Sequence, residues 1–82
     1  MFRISNFIND SSFQMTFING KLDIINYSNI NYMEDNKISL DYYNKKLLIK
    51  GENLRVKKLL ESEILIDGCF SSIEFINWNI MI

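Results

Sequence analysis

The side chains that could do chemistry are few, and their spacing does not favour catalysis. The 82 residues include no His, so the sequence cannot build a Ser-His or Cys-His nucleophile pair, an imidazole base or a mixed Cys/His zinc site. One cysteine, Cys69, excludes an internal disulfide framework and a Cys-only metal site, and suits a reducing compartment. It follows a turn glycine and lies near Asp67, where a thiolate is not favoured. Carboxylates are paired at Glu34-Asp35 and at Glu61 with Glu63. Both read as solvated turns, because an acid/base pair needs a cleft that drives two pKa values apart, and a thin domain offers little room for one. Gly51 and Gly68 are isolated and do not form a phosphate-cradling loop leading into a helix. The expectation is a protein that is not an enzyme and has no catalytic residue, cofactor, metal or small-molecule substrate.

Cations form the one concentrated chemical feature. Residues 45–58 hold Lys45, Lys46, Lys50, Arg55, Lys57 and Lys58 against Glu52 alone, a net +5. The segment is flanked by a net −2 over residues 1–44 and a net −4 over 59–82, which leaves −1 for the whole chain. Cross-strand pairing of Arg55 or Lys57 with Glu63 or Asp67 explains this placement, and long outward cations also guard sheet edges. The alternative is a small β-barrel that binds nucleic acid or anionic lipid through the segment. The flanking acids weigh against it, and nucleic acid is not the expected partner.

Period-two alternation governs the elements that must carry these residues. Ile38-Ser39-Leu40-Asp41-Tyr42 and Leu54-Arg55-Val56-Lys57 alternate apolar and polar positions, as do the shorter Met15-Thr16-Phe17 and Ile73-Glu74-Phe75. Ile occurs 14 times while Ala and Pro are absent, a composition that suits strands. Asn19-Gly20, Lys50-Gly51-Glu52-Asn53 and Asp67-Gly68 punctuate the apolar runs, so Gly20, Gly51, Glu52, Asn53 and Gly68 read as turn positions. The pattern predicts strands near 13–18, 21–26, 28–33, 37–43, 46–50, 54–59, 63–67 and 70–76. The expected fold is all-β: a small meander of about 7–8 short, mostly antiparallel strands, as a sandwich or partly open barrel. Residues 1–82 form a single domain in this reading, with an N-terminal arm at 1–12, a β-domain at 13–76 and an apolar tail at 77–82. No run of 18 apolar residues occurs, so no helix is expected to span a bilayer, and the chain is expected to be soluble.

Two further patterns bear on assembly. Leu47-Leu48-Ile49-Lys50-Gly51 lies over Ile64-Leu65-Ile66-Asp67-Gly68 at an offset of 17, which suits two successive hairpins or, alternatively, a short β-solenoid. Alternation that turns Leu47, Ile49, Ile64 and Ile66 inward also turns Leu48 and Leu65 outward. With Ile76 and Trp78 they make a candidate assembly face, since 82 residues have little material to cover a second apolar surface.

The run Leu47-Leu48-Ile49-Lys50-Gly51-Glu52-Asn53-Leu54-Arg55-Val56-Lys57-Lys58-Leu59, with Glu63-Ile64-Leu65-Ile66-Asp67-Gly68 and Ile73-Glu74-Phe75, resembles the YabP/YqfC family of small sporulation proteins of endospore-forming bacteria. Asn19-Gly20-Lys21-Leu22-Asp23-Ile24 followed by Tyr27-Ser28-Asn29-Ile30 is similar to the YqfC branch. The resemblance implies a non-catalytic protein of the mother-cell cytoplasm that acts in forespore envelope or coat assembly. It also implies work at the forespore membrane through a partner, either further copies of the chain or a membrane-embedded sporulation protein. Gly51 and Gly68 carry over as turn positions, and Leu47, Ile49, Leu54, Val56, Ile64, Ile66, Ile73 and Phe75 as the inward face.

Overall fold

A computed structural model describes residues 12–77, and within them the chain forms six strands and no helix. In order they are β1 (Gln14–Ile18), β2 (Lys21–Ile25), β3 (Asn29–Met33), β4 (Lys37–Tyr42), β5 (Lys45–Leu59) and β6 (Glu63–Asn77). All pair antiparallel in one open sheet of order β1-β2-β6-β5-β4-β3. The all-β expectation holds, with corrections to its topology. A simple meander describes only β3 to β6, because β2 docks against β6 and not against β3. The antiparallel ladders also exclude a solenoid, whose coils would stack in parallel.

The connections are short and locally determined. Asn19 and Gly20 join β1 to β2 with φ of 52° and 77°, the two positive values that a two-residue hairpin turn requires. Residues 26–28 alone join β2 to β3, although β6, β5 and β4 lie between those strands in the sheet. Flat strands spaced about 4.8 Å apart would put β2 and β3 roughly 19 Å from each other, beyond the reach of so short a link. The sheet therefore folds over on itself. Phe13 confirms this by stacking on Tyr42 with ring centroids 4.0 Å apart, a contact from the start of β1 to β4.

The fold line crosses β5 and β6, and this is where the glycines act. The predicted breaks at Gly51-Glu52-Asn53 and at Gly68 are not turns between separate strands. Each lies inside a 15-residue strand that bends, so four expected strands become two. The β5–β6 register slips between Lys50 and Gly51 and again between Glu52 and Arg55, and Asn53 takes φ of 55°. A Cβ on Gly51 would stand 2.1 Å from the Cys69 carbonyl oxygen, and one on Gly68 would stand 2.7 Å from the Asn53 oxygen. Only hydrogen at both positions lets the two backbones approach while they bend. The loop between β3 and β4 braces the corner: Gly51 N–H donates to the Asn36 carbonyl (3.1 Å) and Leu54 N–H to that of Asp35 (2.8 Å).

Two leaves result. The N-terminal leaf holds β1, β2, residues 63–67 of β6 and 54–59 of β5, and the central leaf holds β3, β4, residues 45–50 of β5 and 70–77 of β6. Their facing sides share one core of Leu22, Ile24, Ile38, Leu40, Tyr42, Leu47, Ile49, Leu54, Ile64 and Ile66. Five of the eight residues expected inward are fully in this core, and Val56 and Ile73 pack against its margin. Phe75 is the exception: it lies opposite Leu47 on the inner side but is 56% exposed. It sits near the end of β6, edge-on to Tyr42 with ring centroids 6.3 Å apart.

Candidate functional site

The bend decides where the candidate residues go. Leu48 stands on the outer side of the central leaf between Ser39 and Glu74, and Ile76 lies opposite Lys46 on that same side. Leu65 lies on the outer side of the other leaf, between Asp23 and Lys58. All three are half-buried among polar neighbours, so the described members of the candidate assembly face occupy two opposed surfaces. Trp78 lies outside the described residues, as do the arm through residue 11 and the tail from residue 78. The larger exposed apolar side chains are Phe17, Ile18, Tyr32, Met33, Tyr43, Leu59, Leu60 and Phe75. Phe17, Met33, Leu59 and Phe75 keep inward register positions, opposite Leu22, Ile38, Ile64 and Leu47, but sit near strand ends or on the outermost strands, where the facing leaf no longer covers them.

The cations divide in the same way. Lys46 and Lys50 lie on the central leaf, opposite Asp41 and beside Glu74 respectively, and Lys50 Nζ is 3.4 Å from the Glu74 carboxylate. Arg55 lies opposite Asp67, and Lys58 Nζ is 3.3 Å from Glu63. Lys45 faces Tyr42 and Asn77 at the start of β5, and Lys57 is exposed within the bulge between Val56 and Lys58. The basic segment is thus one run in sequence and two surfaces in space, with four of its six cations set against acids. Exposed ion pairs of this kind stabilise weakly, by about 0–1 kcal/mol each, but they dissipate the positive field.

Among the carboxylates, Glu34 and Asp35 lie in the exposed loop whose backbone holds the corner, and Glu61 is exposed between β5 and β6. Glu63 joins a cluster that the sequence spacing did not reveal. Partial burial and the adjoining Glu63 push the Asp23 carboxyl above the ordinary aspartate value, while hydrogen bonding from Asp23 and Lys58 holds Glu63 below its own. Of the two, Asp23 is the one that gives up its proton less readily, and its Oδ1 is buried without a hydrogen-bond partner. Asp23 and Lys58 also line a shallow pocket of about 220 Å³ with Ile18, Asn19, Lys21 and Leu65. The 40-residue gap between Asp23 and Glu63 hides the cluster from sequence reading, and only the β2–β6 pairing brings the two together. Cys69 is exposed on β6 opposite Glu52. Among the described residues, no group of three or more potential ligands could hold a metal ion, and no helix is long and apolar enough to cross a membrane.

This geometry defines a class: a small, open antiparallel β-domain folded about a glycine corner, whose conspicuous motif is structural. The YabP family pattern matches residues 11–79, and the chain belongs to that family. Neither a curated protein nor a solved structure matches it. Membership is consistent with a sporulation-related protein, and the Gly51-Glu52-Asn53-Leu54 run that carried the resemblance is the folded corner itself.

Proposed function

We propose that this chain is a non-enzymatic sporulation protein that acts in the mother cell in assembly of the forespore envelope or coat. It works as a β-module that self-associates or docks on a membrane-embedded sporulation protein, and on residues 19–24 and 27–30 it stands nearest the YqfC branch. The observation that carries this reading is the family match, which spans all the described β-structure. The eight exposed large apolar side chains among the described residues support an assembly role. The alternative of nucleic acid or anionic lipid bound through residues 45–58 has less support, because the fold line divides those cations and acids face most of them.

The test is a fluorescent fusion to the native gene in sporulating cells, paired with its deletion. The expected result is mother-cell signal gathered at the forespore boundary, and spores with a defective envelope when the gene is lost. Uniform signal together with intact, resistant spores would reject the reading.

A further inference from the structure

Native sheets usually guard their outermost strands with charges, prolines or bulges, since an open strand edge templates pairing with another chain. Here the charges lie elsewhere. Strand β1, Gln14-Met15-Thr16-Phe17-Ile18, has no charged residue and no proline, and it pairs with β2 in unbroken register. Among the described residues, nothing pairs with its other side. Phe17 is 55% exposed and Ile18 51%.

Backbone parity shows what this edge offers. In a two-residue hairpin the closing pair, here Ile18 with Lys21, exchanges hydrogen bonds, and the pattern then alternates along the ladder. Gln14, Thr16 and Ile18 therefore turn their N–H and C=O groups toward β2, and Met15 and Phe17 turn theirs outward. At the next outward position the Phe13 N–H donates to the Tyr43 hydroxyl (2.9 Å), which closes the edge at that end. Two residues remain, with two donors and two acceptors.

We propose that the outer edge of β1 is a homodimer interface, in which two copies pair antiparallel about a two-fold axis at Thr16 and join their sheets into one. This rests on the assembly reading above and names its partner as a second copy of the chain. Under that axis Met15 of each copy exchanges both hydrogen bonds with Phe17 of the other, so the outward groups of both residues are satisfied. Their side chains also meet on the inner face, apolar against apolar. Thr16 meets Thr16, a favourable cross-strand pair, and Gln14 meets Ile18. At a two-fold axis any charge faces its own copy, and a strand with none is suited to that position. Registers centred on Met15 or Phe17 fail, because the first needs the Phe13 N–H that Tyr43 holds and the second pairs Met15 with the turn residue Asn19.

The full chain with Cys69→Ser and Thr16→Cys tests the register. Mild oxidation is expected to link it into a covalent dimer, whereas Gln14→Cys in the same background is not, since Gln14 lies far from its own copy. Sedimentation of the unmodified chain should show a reversible dimer, on the order of micromolar for so small a contact. Thr16→Lys should weaken it about tenfold or more, most at low salt, with an unchanged circular dichroism spectrum. A chain that stays monomeric overturns the proposal, as does a dimer indifferent to Thr16→Lys or one that cross-links equally through both positions. A monomer whose Met15 and Phe17 amides still resist hydrogen exchange assigns the edge to residues of the same chain and overturns it too. Failure here, with a spore-envelope defect on gene loss, removes the homodimer and leaves the sporulation reading standing. Intact spores from cells whose protein does dimerise would do the reverse.

Discussion

Strand β1 ends the N-terminal leaf in unbroken register with β2, whereas β3 ends the central leaf across a bulge between Ile30 and Tyr32. The layouts behind these edges match: an outer hairpin, β1–β2 or β3–β4, flanks one half of the long β5–β6 pair. Their finish differs. On β3, Asn29 and Asn31 are tied together (3.1 Å), and Asn31 Nδ2 donates to Ser39 Oγ (3.1 Å) and Asp41 Oδ1 (2.9 Å). The bulge interrupts β3, and its polar ladder ties the strand to β4, while β1 is left regular and uncharged. Two halves built alike therefore end in differently finished edges, set by a handful of residues.

The largest expected effect tests what the halves share. Gly51→Ala should lower stability by about 4 kcal/mol in urea titration, because its Cβ would lie 2.1 Å from backbone that cannot yield without opening the corner. Gly20→Ala, in open space with φ of 77°, should cost only about 1–2 kcal/mol. Equal losses would mean that the close approach at the corner is not what distinguishes the two sites. Next, Leu22→Ala and Leu40→Ala lie on opposite leaves, are both fully buried, and should each cost about 3 kcal/mol. A loss confined to one leaf would show two separate cores where the structure has one.

Smaller changes sharpen the contrast between the edges. Asn31→Ala removes the contact to the buried Ser39 hydroxyl and should cost about 1 kcal/mol, whereas Gln14→Ala on β1 should stay within about 0.5 kcal/mol. Comparable values would erase the difference drawn between them. The smallest effect concerns Asp23. Its folded pKa is raised, so the native state holds this proton more tightly than the unfolded chain does, and stability falls as pH rises through that value. Glu63 is shifted the other way, and the stability it contributes is present above its ordinary pKa and lost as pH falls through the lowered one. Asp23→Asn removes the first effect, and its Nδ2–H can still donate to the Glu63 carboxylate. It should raise the thermal midpoint at pH 7 and have no effect at acid pH below the ordinary carboxylate range, where Asp23 is protonated in both states. A midpoint shift that ignores pH would contradict this assignment.

Much of the core was legible because alternation is a local property. Ile38, Leu40, Tyr42, Leu47, Ile49, Ile64 and Ile66 are buried as their spacing requires. The corner was not legible, since a glycine needed for close approach inside a strand looks in sequence like a glycine needed in a turn. The offset of 17 held the clue: two segments with the same pattern cross one corner from opposite directions, which a pair of hairpins would not require. Misreading Gly51 and Gly68 then merged two outer surfaces into one, which placed Leu48 beside Leu65 and gathered six cations that the fold separates. The unguarded edge was visible all along as a stretch without charge, but only the strand order shows that β1 is outermost.

The antiparallel docking of β2 on β6 has a consequence for how the chain comes into being. Leu22 finds its partner Ile66 only after 44 further residues have been made, and Ile24 must wait for Ile64. During synthesis the β1–β2 hairpin leaves the ribosome well before residues 63–66 of β6 and stays half-built until they follow, with its apolar side uncovered in the meantime. Such non-local pairing slows folding and lengthens exposure to wrong partners. For this protein the interval between translation and burial of Leu22 and Ile24 is the period in which a chaperone, or a neighbouring nascent copy, has most influence on the outcome.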